Sequence, residues 1–282
     1  MKKSVEKGNE VITITLGDCG ENHYGNQQIG KKVPLGQGFN HEDFLEAKNK
    51  AEKLGCEVDI IDLKELISDY INENKEFLTK NKIEINPAYL IFIRGAITKD
   101  HLDKIYAEMN TFEWDTKYFD VRRQKVLNKL ARSVVCFDQN DQEPDYENKK
   151  GRIISFNRLP ELNRAKSIIA DIFGDKASEL IGEGNRYLNK DKNGIGYHGD
   201  VERRKVIALR LNEKDKDGDT KTMPICFNWF YKNQSIGTNV SFDLPHGTIY
   251  AMSEYATCNN WKFSSMHTIR HAAGADKYTK IK

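Results

Sequence analysis

The stretch Gly196-Tyr197-His198-Gly199-Asp200-Val201-Glu202 sets an imidazole and a carboxylate two residues apart, at the head of a β-patterned run that continues to Leu211. In a strand, residues two apart face the same way. Such a pair suits a divalent iron ion held by two histidines and one carboxylate, with three coordination positions left open. A lone His-x-Asp is a common accident, so the chemistry needs a second histidine from a strand that returns to the first. Downstream of Asp200 the candidates are His246, His267 and His271. His246 sits in Pro245-His246-Gly247, a turn before a strand, and is expected at the surface. His267 and His271 share one face of a single expected strand from Met266 to Ala273, and either satisfies the spacing.

These residues need a scaffold, and the chain is long enough to supply one. Its 282 residues suffice for one large domain or a domain with an appendage. Lys plus Arg outnumber Asp plus Glu only by 44 to 42, so bulk charge demands neither a nucleic acid nor a membrane. Five scattered cysteines without a CxxC pair argue against a disulfide framework or zinc ribbon, and for a reducing compartment. The opening Met1 to Gly8 has no apolar core of signal-peptide length, and no run approaches 18 apolar residues. A cytoplasmic or nuclear address, without a membrane, is expected.

Val11 to Leu16 alternates and is β-branched, hence a strand ending in the turn Gly17-Asp18-Cys19-Gly20. The polar run Glu21 to Gly30 after it reads either as a binding loop or, more simply, as a surface connection. Asn40 caps an expected helix from His41 to Leu54, and a strand at Val58–Ile61 and a helix from Leu63 to Phe77 follow. Residues 1–87 therefore read as a small N-terminal α/β extension closed by Pro87. Beyond it, Ala88–Gly95 is a buried strand, helices start at Lys99 and Pro160, and short strands recur at intervals of roughly ten residues after Asn185. The fold class expected is α+β: a β-sandwich or jelly roll (double-stranded β-helix) with helical support, over 88–282.

Asn185-Arg186-Tyr187, a short loop, and Ile195-Gly196-Tyr197-His198-Gly199-Asp200-Val201-Glu202 together resemble the AlkB family of iron(II)/2-oxoglutarate dioxygenases. There an Asn-x-Tyr precedes the His-x-Asp. Leu244-Pro245-His246-Gly247-Thr248-Ile249-Tyr250-Ala251-Met252-Ser253, with Trp261 beyond, resembles the family's strand before the second histidine, and Arg270-His271-Ala272-Ala273-Gly274 is similar to the phrase holding the distal ligand. The likeness covers residues 88–282.

The resemblance implies Fe(II) bound by His198, Asp200 and His271. It implies 2-oxoglutarate, consumed with O2, hydrogen-bonded by Asn185 and Tyr187. The family's closing arginine run is replaced by Asp276-Lys277-Tyr278-Thr279-Lys280. A buried carboxylate still needs a cation. Lys280 is the expected anchor, with Lys277 in the His267 register and Arg210 or Arg270 as substitutes. The activity implied is oxidation of a C–H, hydroxylating or demethylating a nucleobase in single-stranded or flipped DNA or RNA. A protein side chain or small metabolite is the rival substrate, and a catalytically silent jelly-roll binder the rival class. Arg203-Arg204-Lys205 would then contact phosphate and Trp229-Phe230-Tyr231 a base, unless the former are solvated rim residues and the latter core.

Overall fold

The computed structural model describes residues 9–215 and 217–281. The first eight residues, read above for a leader, lie outside it. The N-terminal third holds β1 (Val11–Gly17), β2 (Cys19–Glu21), β3 (Gln28–Gly30), β4 (Glu57–Asp62) and β5 (Tyr89–Arg94). The middle holds β6 (Lys117–Asp120), β7 (Lys125–Asn128), β8 (Ser133–Asp138), β9 (Ile153–Ser155) and β10 (Ile181–Tyr187). The last third holds β11 (Gly194–His198), β12 (Val206–Asn212), β13 (Ile225–Tyr231), β14 (Gln234–Phe242), β15 (Ile249–Met252) and β16 (Thr268–Gly274).

Eight strands form one sheet in the order β4-β5-β15-β12-β1-β10-β8-β9, and four form a second, β11-β16-β13-β14. Every pairing in the two is antiparallel except β8 with β9. The result is a mixed α/β fold built on a large, mostly antiparallel sheet with several helices.

Period-two alternation sorts each strand of the large sheet between two layers. Ile12, Ile14 and Leu16 of β1, with Ile207, Leu209 and Leu211 of β12, pack under three helices: His41–Lys53, Lys99–Glu108 and Pro160–Phe173. The other face of the sheet meets the four-stranded sheet, where Leu90, Phe92, Ala208 and Met252 pack against Phe227, Trp229 and Ile269. The helices start where their caps dictate. Asn40 and Asp43 form a reciprocal capping box, and the Thr98 hydroxyl accepts from the His101 amide. The single helix expected from Leu63 to Phe77 is instead a 3-10 turn, Leu63–Ile67, and two short helices, Ser68–Glu73 and Lys75–Lys80. Asn74 joins the two, its side-chain amide and its backbone N–H both donating to the Tyr70 carbonyl.

The boundary expected at residue 87 does not divide the molecule. β1 lies between β10 and β12 near the middle of the large sheet, paired in register along its whole length with both, and β4 pairs with β5. Val11, Ile12, Ile14 and Leu16 are at most 2 % exposed. At about 1.5–3 kcal/mol each, their burial is worth roughly 6–12 kcal/mol, as much as the whole stability of an ordinary domain. β1 belongs to the core.

Candidate metal centre and its cavity

β11 and β16 are antiparallel neighbours, and their register sets His198 directly opposite His271. Side chains opposite one another on one face sit close together, and the two imidazole rings are 4.3 Å apart. Asp200 is not on the strand. β11 ends at His198, and the chain then crosses to β12 in the other sheet. Three contacts fix that crossing. The Asp200 amide donates to the Thr257 carbonyl at 2.7 Å, and Asn259 Nδ2 donates to the carbonyls of Asp200 and Arg203, each at 2.6 Å. Gly199 is required between them, because a Cβ there would stand 2.2 Å from the Cys258 carbonyl oxygen.

Asp200 Oδ1 lies 3.6 Å from His271 Nε2 and 3.9 Å from His198 Nε2, and one ligand atom from each of the three lies within 4.8 Å of the others. His198 Nδ1 donates to the Gly196 carbonyl at 2.8 Å, which leaves the Nε2 lone pair facing Asp200. Burial pushes both imidazoles down to about 4, His198 further by its neighbour His271 and His271 by Arg203. Both are neutral at pH 7, so neither forms an ion pair with Asp200. Burial in turn raises Asp200, against Arg203 and His198. Two lone pairs and a carboxylate with no lysine or arginine salt bridge among the described residues form a donor set that a divalent cation completes.

The three ligands open into a cavity of about 440 Å³ between the two sheets. Its far wall is the cavity-facing side of the large sheet. Asn185 of β10, Thr13 of β1 and Arg210 of β12 stand in one cross-strand row, with Glu183, Thr15 and Ala208 in the next. Arg210 is 1 % exposed, and its Nε and Nη1 have no hydrogen-bond partner. Burial pulls its guanidinium below the ordinary value, against Tyr250 and Tyr187 beside it. Asn185 accepts from Arg132 Nε and donates to Glu183 Oε1 at 2.9 Å. Burial works against the Glu183 charge, but Arg203, Asn185 and the Glu21 amide hold it below the usual carboxylate range. Glu21, without a cation of its own, is pushed up to about 7 by burial and by Glu202 and Glu183.

No protein-family model matches the chain. It is 35% identical over 272 residues to an uncharacterized protein of Acanthamoeba polyphaga mimivirus, covering 96% of this chain and 98% of that one. The chain belongs to that protein's family. The match spans both β1 of the large sheet and the strands of the second sheet that carry the candidate histidines. Among the described residues no helix is long and apolar enough to cross a membrane.

Within this family fold, His198, Asp200 and His271 come together, with Asn185 and Tyr187 on the wall facing them. His267 does not join. Its Nε2 is 2.9 Å from the Tyr70 hydroxyl and its ring stacks on Tyr231. His246 accepts the Asn212 amide through Nδ1 and braces its turn. Lys280, the expected anchor, is a correction: its side chain is 74% exposed and bridges Asp276 one helical turn back. Lys277 rests on the Tyr278 ring and Arg270 on Phe230. Among the described residues lining the cavity, the buried cation without an acid partner is Arg210.

The basic trio is structural. Arg203 pairs with Glu183 and Glu202, Arg204 with Glu254, and Lys205 donates to the Lys176 carbonyl. Trp229 and Phe230 are core, with the Trp229 indole donating to the Leu63 carbonyl. The loop Glu21–Tyr24 does line the cavity, so of its two readings binding is the one the geometry favours. Thr13, Thr15, Arg132 and Glu183 escaped the sequence reading. Two threonines alternating with Ile12, Ile14 and Leu16 were the available signal.

Proposed function

We propose that the protein is an iron(II)/2-oxoglutarate-dependent dioxygenase of AlkB-like type, its two facing sheets forming a double-stranded β-helix. The observation that carries this reading is one cavity holding both a His-Asp-His donor set and, on the opposite wall, a buried arginine with unpartnered donors. A ligand that spans the two has a metal-chelating end and an anionic end. A 2-oxoacid with a distal carboxylate is such a ligand.

His198, Asp200 and His271 bind the metal through two nitrogens and one oxygen, the set that suits iron(II) with three positions open. Bound iron supplies O2 activation coupled to decarboxylation of the oxoacid. Arg210 forms a charge-assisted pair with the distal carboxylate, with the Thr13 hydroxyl adjacent in its row. Tyr187 flanks that carboxylate beside Arg210. Asn185, tied to Arg132 and Glu183, holds the edge of the pocket in register rather than swinging freely. The substrate enters past Glu21–Tyr24 and Trp261-Lys262. Lys262 lies 3.9 Å from the Tyr24 ring centroid, so a cation and aromatic faces meet at the mouth. That pairing supports a nucleobase, which stacks on aromatic faces while its phosphate meets a cation.

The test is succinate release from 2-oxoglutarate with iron(II) and ascorbate, with single-stranded oligonucleotides carrying methylated bases as substrate. Turnover lost in His198→Ala, Asp200→Ala and Arg210→Met but kept in Lys280→Ala is the expected pattern. Wild-type protein that binds iron yet yields no succinate with any such substrate removes the nucleobase reading. Failure to bind iron removes the enzyme reading altogether.

A further inference from the structure

A second cavity, of about 310 Å³, lies behind the metal loop and is lined by residues from Leu35, the Ile83–Asn86 segment, Trp229 and the stretch Tyr255–Ile269. Besides Arg204 Nε, which faces Glu254, two buried polar atoms on its walls have no hydrogen-bond partner: Asn259 Oδ1 and His267 Nδ1. Asn259 Nδ2 already donates to two backbone carbonyls, which fixes the amide so that Oδ1 is the free acceptor. His267 Nε2 shares a hydrogen bond with the Tyr70 hydroxyl at 2.9 Å; the phenol, the stronger acid of the two, is taken as the donor, which leaves Nδ1 as the free donor. An orphaned buried polar group is costly, and two of them lining one hollow point to an occupant.

The hollow has the liquid volume of about ten waters, far more than one structural water fills. Three large apolar side chains, Leu35, Tyr255 and Met266, stand exposed at its rim. Its one arginine, Arg204, is neutralised by Glu254 at 3.0 Å, and its other carboxylate, Glu84, stands exposed to solvent at the edge. The complement is therefore uncharged and mostly apolar, with a donor for Asn259 and an acceptor for His267. An amide supplies both.

Asn259 also belongs to the metal site, since its Nδ2 holds the Asp200 and Arg203 carbonyls. Cys258, on the same wall, presents its carbonyl to Gly199. We propose that this second cavity binds a small uncharged amide between Asn259 and His267, and that filling it tightens metal binding at His198, Asp200 and His271. The first half is independent of the dioxygenase reading; the second rests only on its metal site.

The experiment titrates the full chain, metal-free, with 4-fluorobenzamide by fluorine NMR, using methyl 4-fluorobenzoate as the shape-matched probe that lacks the N–H. The amide is expected to bind at least tenfold tighter than the ester, and His267→Phe to weaken both probes, since both carry the carbonyl that His267 would meet. Ser265→Trp, at an exposed position on the rim, is expected to block both probes without touching the interior. Co(II) affinity is then measured with and without saturating benzamide. A severalfold gain is expected, and linkage requires the same factor in benzamide affinity when Co(II) is present. Equal binding of the two probes, no binding of either (a hollow that holds water only), binding indifferent to both variants, or unchanged Co(II) affinity at saturation overturns the proposal. Should Co(II) not bind at all, the metal reading and the coupling fall together, while the benzamide titration still decides the cavity.

Discussion

Replacing Arg210 by methionine tests the cavity from both directions at once. Methionine keeps most of the side-chain length and removes the charge, so the wall between Thr13 and Tyr250 stays filled. In the proposed complex the buried arginine faces the distal carboxylate of the oxoacid. Truncating one member of such a pair costs about 2–5 kcal/mol, which corresponds to roughly 30-fold to several thousand-fold in affinity. In the ligand-free protein the sign reverses. Arg210 is 1 % exposed with two unpartnered donors, so its burial destabilises the empty fold. Exchanging a buried charge for a packed apolar group is often stabilising by about 1–4 kcal/mol, or roughly 2–8 °C in a domain of this size. The assay is calorimetric titration of Mn(II)-loaded protein with 2-oxoglutarate, paired with thermal unfolding of both proteins without ligand. Weaker binding together with a higher melting temperature is expected. Arg210→Met protein that binds 2-oxoglutarate as wild type does would refute the assignment, and would do so decisively if Lys280→Ala were the variant that lost it.

The other expectations can be checked with the same preparations. His271→Ala should lose stoichiometric Co(II) with its circular dichroism unchanged, whereas His267→Ala should keep the metal and lose only about 1 kcal/mol of stability with the Tyr70 hydrogen bond. In Gly199→Ala the new methyl would meet the Cys258 carbonyl and push Asp200 out of place, so Co(II) affinity should fall at least tenfold; an unaltered affinity would show that the crossing is slack. His23 is held down to about 4 by burial and by Lys129 and Arg132, below its unfolded value near 6.5. The unfolded chain then binds the extra proton between those values, so stability rises with pH through the window and is lost as pH falls toward 4. The melting temperature of wild type should therefore fall relative to that of His23→Phe as pH drops from 7 to 4, and a difference that does not change with pH would show the imidazole unperturbed.

The ligand set was legible because it is local. His-x-Asp and a later strand carrying two histidines are statements about spacing. Choosing His271 over His267 was not, since both lie on one side of the same segment and four residues is about 13 Å along a strand. Only the β11–β16 register, with His198 opposite His271, separates them. The proposed anchor, Arg210, ranked below Lys280 in the sequence for a similar reason. Lys280 was sought near the C-terminus, while Arg210 sits in Val206–Asn212, where Ile207, Leu209 and Leu211 face the helices and Val206, Ala208 and Arg210 face the cavity. A cation in an otherwise apolar strand was the visible sign. The expected N-terminal extension failed because nothing in Val11–Leu16 names its partners, which lie some 170 and 190 residues downstream in β10 and β12. Alternation says that a strand is buried, and is silent about what buries it.

The place of β1 has a consequence for how the molecule is made. This strand is made well before either of its neighbours in the sheet, β10 and β12, and His271 follows later still. Until then Ile12, Ile14 and Leu16 have no sheet to join. Assembly of the candidate metal pocket is thus a late event dominated by contacts distant in sequence, the kind that forms slowly, and losing β1 or β16 forfeits that centre rather than an ornament.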